Sequence, residues 1–141
     1  SVSMELDKVT CLDIGTGTGV LLLVAAQLGI KHLVGIDIEE YAANQAKINC
    51  ANNKVHAEII CGDLDRDFNG KANLILANLT VDPLKILLPQ IGRKLEDNGI
   101  LIISGIIDER YDEIFPYITE HWHMIEERVA GPLHTFALKK I

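Results

Sequence analysis

Residues 10–23 of the chain read TCLDIGTGTGVLLL, an apolar strand pattern that runs into a turn and then into a second apolar run. Gly15, Gly17 and Gly19 occupy every second position of that turn. Glycine leaves the main chain of a tight turn bare, so a ligand can approach it closely. A helix that begins at the turn points its free N–H groups and the positive end of its dipole at the ligand. The segment therefore predicts a ligand-binding turn between the first strand and the first helix.

Apolar runs alternate with helix-like segments along the 141 residues, which is typical of a parallel sheet wound by helices. Asp82 is predicted to cap the third helix, and Asn98 and Gly99 are predicted to form the turn before the fifth strand. The predicted strands are residues 9–14, 32–36, 55–60, 72–77 and 100–104, and the predicted helices between them are residues 20–28, 40–53 and 83–95.

The C-terminal part is predicted to close the sheet. A further helix over residues 109–121 contains Pro116, which should kink or split it. The runs WHMIEERV and HTFALKK flank AGPL and predict an antiparallel pair at the sheet edge. The expected fold is α/β: a Rossmann-like, doubly wound, mostly parallel sheet of about seven strands with a C-terminal antiparallel pair.

Composition excludes several classes of partner. The net charge of -7 argues against extensive contact with nucleic-acid phosphates, so no direct nucleic-acid binding is expected. The longest apolar stretch is too short to span a bilayer and no targeting segment is visible, so no membrane partner is expected. Cys11, Cys50 and Cys61 lack metal-ligand spacing, which indicates reduced, buried thiols and a cytoplasmic protein.

The histidines predict no metal site. His121 and His123 flank Trp122, and alternate residues of a strand share a face. Because no third ligand lies nearby, we predict that they bind no metal. His134 and the charged runs DERYDE and EERV are interpreted as solvated surface.

Acidic residues at predicted strand ends indicate which ligand the glycine turn serves. Ligands of open parallel sheets bind outside the carboxyl ends of the strands. Asp37 ends the second strand, where a carboxylate accepts both hydroxyls of a ribose. Ile38 would lie against an adenine, and Asp63 would receive its amino group. The dinucleotide fingerprint requires a third glycine where Val20 stands, so the pattern favours an adenosine-containing cofactor but departs from that of NAD.

The segments LDIGTGTG, GIDI and CGDL resemble the cofactor motifs of class I S-adenosylmethionine-dependent methyltransferases. The segment ILANLTVDPLKILLPQIGRKLEDNGILIISGI resembles the same region of the ribosomal protein L11 methyltransferase family. Its NLTVDP stands where relatives that methylate the nitrogens of planar groups have Asn-Pro-Pro-Tyr. The resemblance implies that S-adenosylmethionine is the cofactor and that the residues binding it are Asp13, Gly15, Thr16, Gly17, Gly19, Asp37, Ile38, Asp63, Leu64 and Asn78.

The resemblance further implies methyl transfer to amino groups of a protein, with a large-subunit ribosomal protein as the substrate and partner. Asn78 is the candidate for orienting the amine, because its side-chain oxygen accepts a hydrogen bond without adding charge. Its alternative role is to cap the loop after strand four. Three other functions stay open: methylation of an RNA or a small molecule, cofactor binding without catalysis, and NAD-dependent oxidoreduction.

The family carries a substrate-recognition domain upstream of its first strand, whereas SVSMELDK alone precedes that strand here. We therefore expect residues 1–141 to form a single cofactor-binding methyltransferase domain in which the upstream domain is absent. Contacts with remote parts of a substrate align its reacting group. We accordingly expect these residues alone to bind S-adenosylmethionine weakly and to methylate ribosomal protein very slowly or not at all, unless a partner chain supplies the missing surface.

Overall fold

The protein is described by a computed structural model that covers residues 5–141. The elements that surround the candidate site are seven strands and five helices. In chain order the strands are β1 (Thr10–Ile14), β2 (His32–Asp37), β3 (Glu58–Cys61), β4 (Ala72–Asn78), β5 (Leu95–Ile107), β6 (Trp122–Ala130) and β7 (Leu133–Lys140), and the helices are α1 (Val20–Gln27), α2 (Glu40–Asn52), α3 (Leu64–Asp67), α4 (Val81–Leu87) and α5 (Tyr111–His121).

The strands form one sheet in the order β3-β2-β1-β4-β5-β7-β6. Strands β1 to β5 are parallel to one another, and β7 is antiparallel to both β5 and β6. The mostly parallel sheet with a C-terminal antiparallel pair is therefore confirmed. Because β1, β2, β3 and β4 run in the same direction, the segments that follow them meet at one edge of the sheet.

Each face of the sheet is covered by its own helices. Successive side chains of a strand point to opposite faces, so Cys11 packs with α1 and α2 while Leu12 packs with α4 and α5. The second face carries the larger core, which includes Ile75, Leu101 and Phe136, all with no exposed surface. This two-sided burial explains why the parallel strands read as continuous apolar runs.

The third strand begins at Glu58, so the prediction that it starts at residue 55 is wrong. Lys54 has a positive φ of 56°, and the Val55 N–H donates to the Cys50 carbonyl at 2.8 Å. Residues just after α2 are therefore used to reverse the chain. Because these residues close the end of the helix, they cannot pair with β2, and the strand begins only after the chain has turned.

The prediction of the third helix, residues 83–95, is also wrong at both ends. The helix α4 ends at Leu87, and a separate 3-10 turn, Ile91–Lys94, leads into β5. Asp82 lies inside α4 and does not cap it; its carboxylate accepts a hydrogen bond from Arg110 at 2.7 Å. The pairing of β5 with β4 jumps from Leu95 to Ile100, so the predicted Asn98-Gly99 turn is an irregularity within a longer strand.

Pro116 does not split α5, which runs without interruption from Tyr111 to His121. An internal proline costs a helix about 3 kcal/mol. Ile114 and Ile118 on the same helix are completely buried, and burying each contributes about 1.5 to 3 kcal/mol. Packing on the sheet therefore offsets the penalty.

Three surface assignments are corrected. Cys61 is exposed, because β3 is an edge strand, while Cys11 and Cys50 are buried. His121 ends a helix and His123 belongs to β6, so the two histidines do not share a strand face. The side chain of His134 is only 12% exposed, because it lies between Asp108 and Glu127.

Residues of the charged run 108–113 form ion pairs with neighbouring elements and are not merely solvated. Arg110 pairs with Asp82 and Glu113, which joins the starts of α4 and α5. Within residues 5–141 no group of three metal-ligating side chains comes together. None of the helices in that range combines the length and apolar character needed to cross a membrane.

Replacing Trp122 by phenylalanine should lower the free energy of unfolding by about 1 to 3 kcal/mol. The indole is 4% exposed and its N–H donates to the buried Leu88 carbonyl at 3.1 Å, which ties β6 to the end of α4. Urea unfolding followed by far-ultraviolet circular dichroism measures the change. Tyr41→Phe removes a polar group from an aromatic ring that is 76% exposed, and it should change stability by less than about 0.5 kcal/mol. Equal effects of the two substitutions would show that the Trp122 hydrogen bond contributes nothing.

Candidate functional site

A cleft of about 550 Å³ lies at the carboxyl edge of β1 and β2. A second cavity of about 480 Å³ adjoins it and shares Ile38, Asp63, Leu64, Leu79 and Pro83 with it. Six of the predicted site residues line the cleft: Gly15, Gly17, Asp37, Ile38, Asp63 and Leu64. A larger cavity of about 1000 Å³ lies among residues of β2, α2 and β3 and contains none of the predicted residues. The chemistry therefore points to the smaller cleft.

The glycine turn has the backbone that its sequence predicts. All three glycines have positive φ: 67° at Gly15, 55° at Gly17 and 82° at Gly19. A Cβ on Gly15 would lie 2.8 Å from Leu79 Cδ2, so a side chain there would collide with the cleft wall. A Cβ on Gly19 would lie 3.3 Å from Ala46 on α2. Gly19 thus allows α1 and α2 to pack closely and does not line the cleft.

Asp37 connects the end of β2 to the glycine turn. Its Oδ2 accepts a hydrogen bond from the Gly17 N–H at 3.1 Å, and its Oδ1 accepts one from the Glu39 N–H at 3.0 Å. The two main-chain donors hold the carboxylate in one orientation at the cleft. A carboxylate oxygen has more than one lone pair, so both oxygens still have capacity to accept hydrogen bonds from a ligand.

Asp13 is a buried acid beneath the turn, with 1% of its surface exposed. Its Oδ2 accepts a hydrogen bond from the buried Thr16 hydroxyl at 2.9 Å, while its Oδ1 has no partner among residues 5–141. Burial raises the pKa of Asp13 to about 6, the Thr16 hydrogen bond acts in the opposite direction, and the negative charge of Asp37 raises it further. A buried acceptor without a donor is destabilising unless a ligand supplies one.

Asp63 and Leu64 stand on the far side of the cleft, at the start of the short helix α3. The Asp63 carboxylate caps that helix by accepting from the Asp65 N–H at 2.8 Å, and the Asp63 N–H donates to Asp67 at 2.7 Å. Across from them Ile38 is 78% exposed, so its apolar side chain is available to a flat ring. The sequence missed α3, which is only four residues long.

Asn78 ends β4 opposite Ser104 and is exposed. It does not line the cleft, whereas the next residue, Leu79, does. Leu79 and Pro83 are wall residues that the sequence prediction missed. Their position directly after the fourth strand, at the edge where the other site residues lie, is the signal that identifies them.

The fold and the cleft together define the class I methyltransferase architecture. The solved structure of an RNA methyltransferase from Salinibacter ruber, in complex with S-adenosyl-L-homocysteine, has the same fold with a TM-score of 0.74 at 17% identity, covering 93% of this chain and 80% of that one. The family model described as ribosomal protein L11 methyltransferase (PrmA) matches residues 3–138. The chain belongs to the ribosomal protein L11 methyltransferase family.

Individual relatives agree with this assignment. The ribosomal protein L11 methyltransferase of Clostridium perfringens (strain 13 / Type A) is 43% identical over 102 residues, which are 72% of this chain and 33% of that protein. The crystal structure of ribosomal protein L11 methylase from Lactobacillus delbrueckii subsp. bulgaricus has a TM-score of 0.88 at 30% identity, covering 94% of this chain and 69% of that one. The present chain thus spans about a third of the length of such curated relatives.

Asp13→Asn should stabilise the protein at pH 7 but not at pH 4. The folded pKa of about 6 exceeds the ordinary value of 3.8, so the carboxyl is protonated in both states below 3.8 and contributes no difference there. As pH rises from 3.8 through 6, Asp13 ionises in the unfolded state first. The free energy of unfolding therefore falls by about 3 kcal/mol over this range. Asparagine removes that ionisation.

Urea unfolding of both proteins at pH 4 and pH 7 measures the difference. We expect similar free energies of unfolding at pH 4 and a gain of about 1 to 3 kcal/mol for the variant at pH 7. A difference between the two proteins that does not change with pH would show that Asp13 is not a strained buried carboxyl.

Proposed function

We propose that this protein is an S-adenosylmethionine-dependent methyltransferase that modifies amino groups of a ribosomal protein. The observation that carries the proposal is the Asp37 carboxylate, held by the Gly17 N–H beside a turn without side chains. The chain belongs to the L11 methyltransferase family, which supports the interpretation of Asp37 and the glycine turn as a site for a nucleoside.

The residues present fit the proposed cofactor. The bare backbone at Gly15 and Gly17 would leave room for its methionine part, and the buried Asp13 lies directly beneath that turn. Asp37 would accept the ribose hydroxyls. The adenine would lie between Ile38 and Leu64, with Asp63 at its edge. When bound, S-adenosylmethionine supplies a methyl group activated by a positively charged sulfur.

The chain's own residues would bind and align the reactants. Transfer to an amine is a direct displacement, so no nucleophilic side chain is needed. The amine must arrive neutral, however, and deprotonating a lysine of ordinary pKa at pH 7 costs about 5 kcal/mol. Asn78, at the end of β4, would orient the amine without stabilising its charged form. A carboxylate there would oppose deprotonation.

A protein substrate is favoured because the curated relatives are named for a ribosomal protein. We also propose that the protein acts in the cytoplasm and makes no direct contact with nucleic acid. The net charge of -7 supports the second point, because it opposes binding to phosphates. Methylation of RNA or of a small molecule is the alternative outcome of a substrate test. Residues 1–141 are proposed to act as one cofactor-binding domain.

Titration calorimetry of the wild-type chain with S-adenosylhomocysteine and with NAD tests the cofactor. We expect saturable binding of S-adenosylhomocysteine and at least tenfold weaker binding of NAD. Radiolabelled methyl transfer to ribosomal protein L11, with ribosomal RNA as the comparison substrate, then tests the acceptor. Tighter binding of NAD than of S-adenosylhomocysteine would contradict the proposed function.

Asp37→Ala should weaken S-adenosylmethionine binding by about 1.5 to 3 kcal/mol, because it removes a charged acceptor of the ribose hydroxyls. The matched control is Asp97→Ala, which removes an equal charge from a side chain that is 93% exposed and lies outside the cleft. Calorimetric affinities and circular dichroism spectra of the two variants check the effect. If both variants bind the cofactor like the wild type, the carboxylate at Asp37 does not contact the ribose.

A further inference from the structure

The carboxyl end of β5 is distorted where it passes the end of β4. Pairing of β5 with β7 changes register between Ile103 and Ile106, so two residues of β5 stand opposite one residue of β7. This is a β-bulge, a feature that bends a strand and redirects neighbouring side chains. The second of those two β5 residues is Gly105, whose φ is 87°. The bulge begins at Ser104, the residue paired with Asn78.

Gly105 lies directly against the Asn78 carboxamide. A Cβ on Gly105 would be 2.6 Å from Asn78 Oδ1 and 3.7 Å from the Leu79 carbonyl oxygen. Cβ atoms do not approach an oxygen as closely as 2.6 Å, because the two atoms would overlap. Asn78 therefore keeps its present orientation only while residue 105 has no side chain.

We propose that Gly105 is a positioning residue, whose lack of a side chain leaves the space that the Asn78 carboxamide needs to face the acceptor amine. The inference rests on the function proposed above, in which Asn78 orients that amine. Misplacing an aligning group by about 1 Å reduces turnover by up to about 100-fold. Cofactor affinity should change little, because the glycine turn and Asp37 belong to β1 and β2, on the other side of β4.

The test compares Gly105→Ala with Gly70→Ala. Gly70 also has a positive φ, of 96°, but no atom of the described residues would lie within 4 Å of its Cβ. Both substitutions place alanine in a left-handed conformation, and only the first displaces Asn78. We expect both variants to bind S-adenosylhomocysteine within twofold of the wild type. The single-turnover rate of methyl transfer to ribosomal protein L11 should fall about 10- to 100-fold in Gly105→Ala and stay within twofold in Gly70→Ala.

A double variant separates action through Asn78 from a general effect. Asn78→Ala should slow the same step by a similar factor, and adding Gly105→Ala to it should produce no further loss beyond that of Gly70→Ala. An equal loss from Gly105→Ala in both backgrounds would show that Gly105 does not act through Asn78 and would overturn the inference.

The wild type provides a measurement that does not depend on how well the variants fold. Three-bond couplings of the labelled chain should show one χ1 rotamer for Asn78, and averaging over several rotamers would overturn the inference. The two proposals fail differently. A wild type that binds no S-adenosylhomocysteine overturns the proposed function, and with it the role in methyl transfer. Normal binding, with equal rates for Gly105→Ala and Gly70→Ala, overturns only the positioning role.

Discussion

The hydrogen bond from the Gly17 N–H to the Asp37 carboxylate is the interaction on which the candidate site depends. It joins the turn after β1 to the end of β2, two strands that are already paired in parallel. The Gly15 N–H adds a second connection by donating to the Ile36 carbonyl at 2.8 Å. Because the turn is fixed at both points, its bare backbone and the carboxylate face the same cleft. A ligand would find the site already formed, which reduces the entropy lost on binding.

Beneath that turn, Asp13 shows that the site is not arranged for stability alone. A carboxyl that is 1% exposed, with one oxygen that has no partner in the described part of the chain, destabilises the folded protein at neutral pH. Such strain is common where a group is kept ready for a ligand. Asp13 belongs to β1, which is paired with β2 on one side and β4 on the other, so the surrounding core can hold it in place despite the penalty.

The opposite side of the carboxyl edge is held by charged side chains. The Asp82 carboxylate on α4 accepts a hydrogen bond from the guanidinium of Arg110, the residue before α5. Further along the edge, His134 lies between Asp108 and Glu127, with its Nε2 2.6 Å from Asp108 Oδ1 and its Nδ1 3.0 Å from Glu127 Oε2. The hydrogen bond with Asp108 raises the pKa of His134, burial acts against it, and Glu127 raises it again. These contacts anchor the β6–β7 hairpin beside the bulge that contains Gly105.

The sequence by itself determined the succession of seven strands along the chain, the glycine turn and the position of Asp37 at a strand end, because apolar periodicity and glycine spacing are local properties. Only the tertiary structure decided that Gly19 packs against Ala46, that Asp82 meets Arg110 and that Gly105 lies against Asn78. The partners in those contacts are 27 or 28 residues apart in the chain. No short pattern records which distant segments will be neighbours, since the packing of whole helices and strands on the sheet selects them.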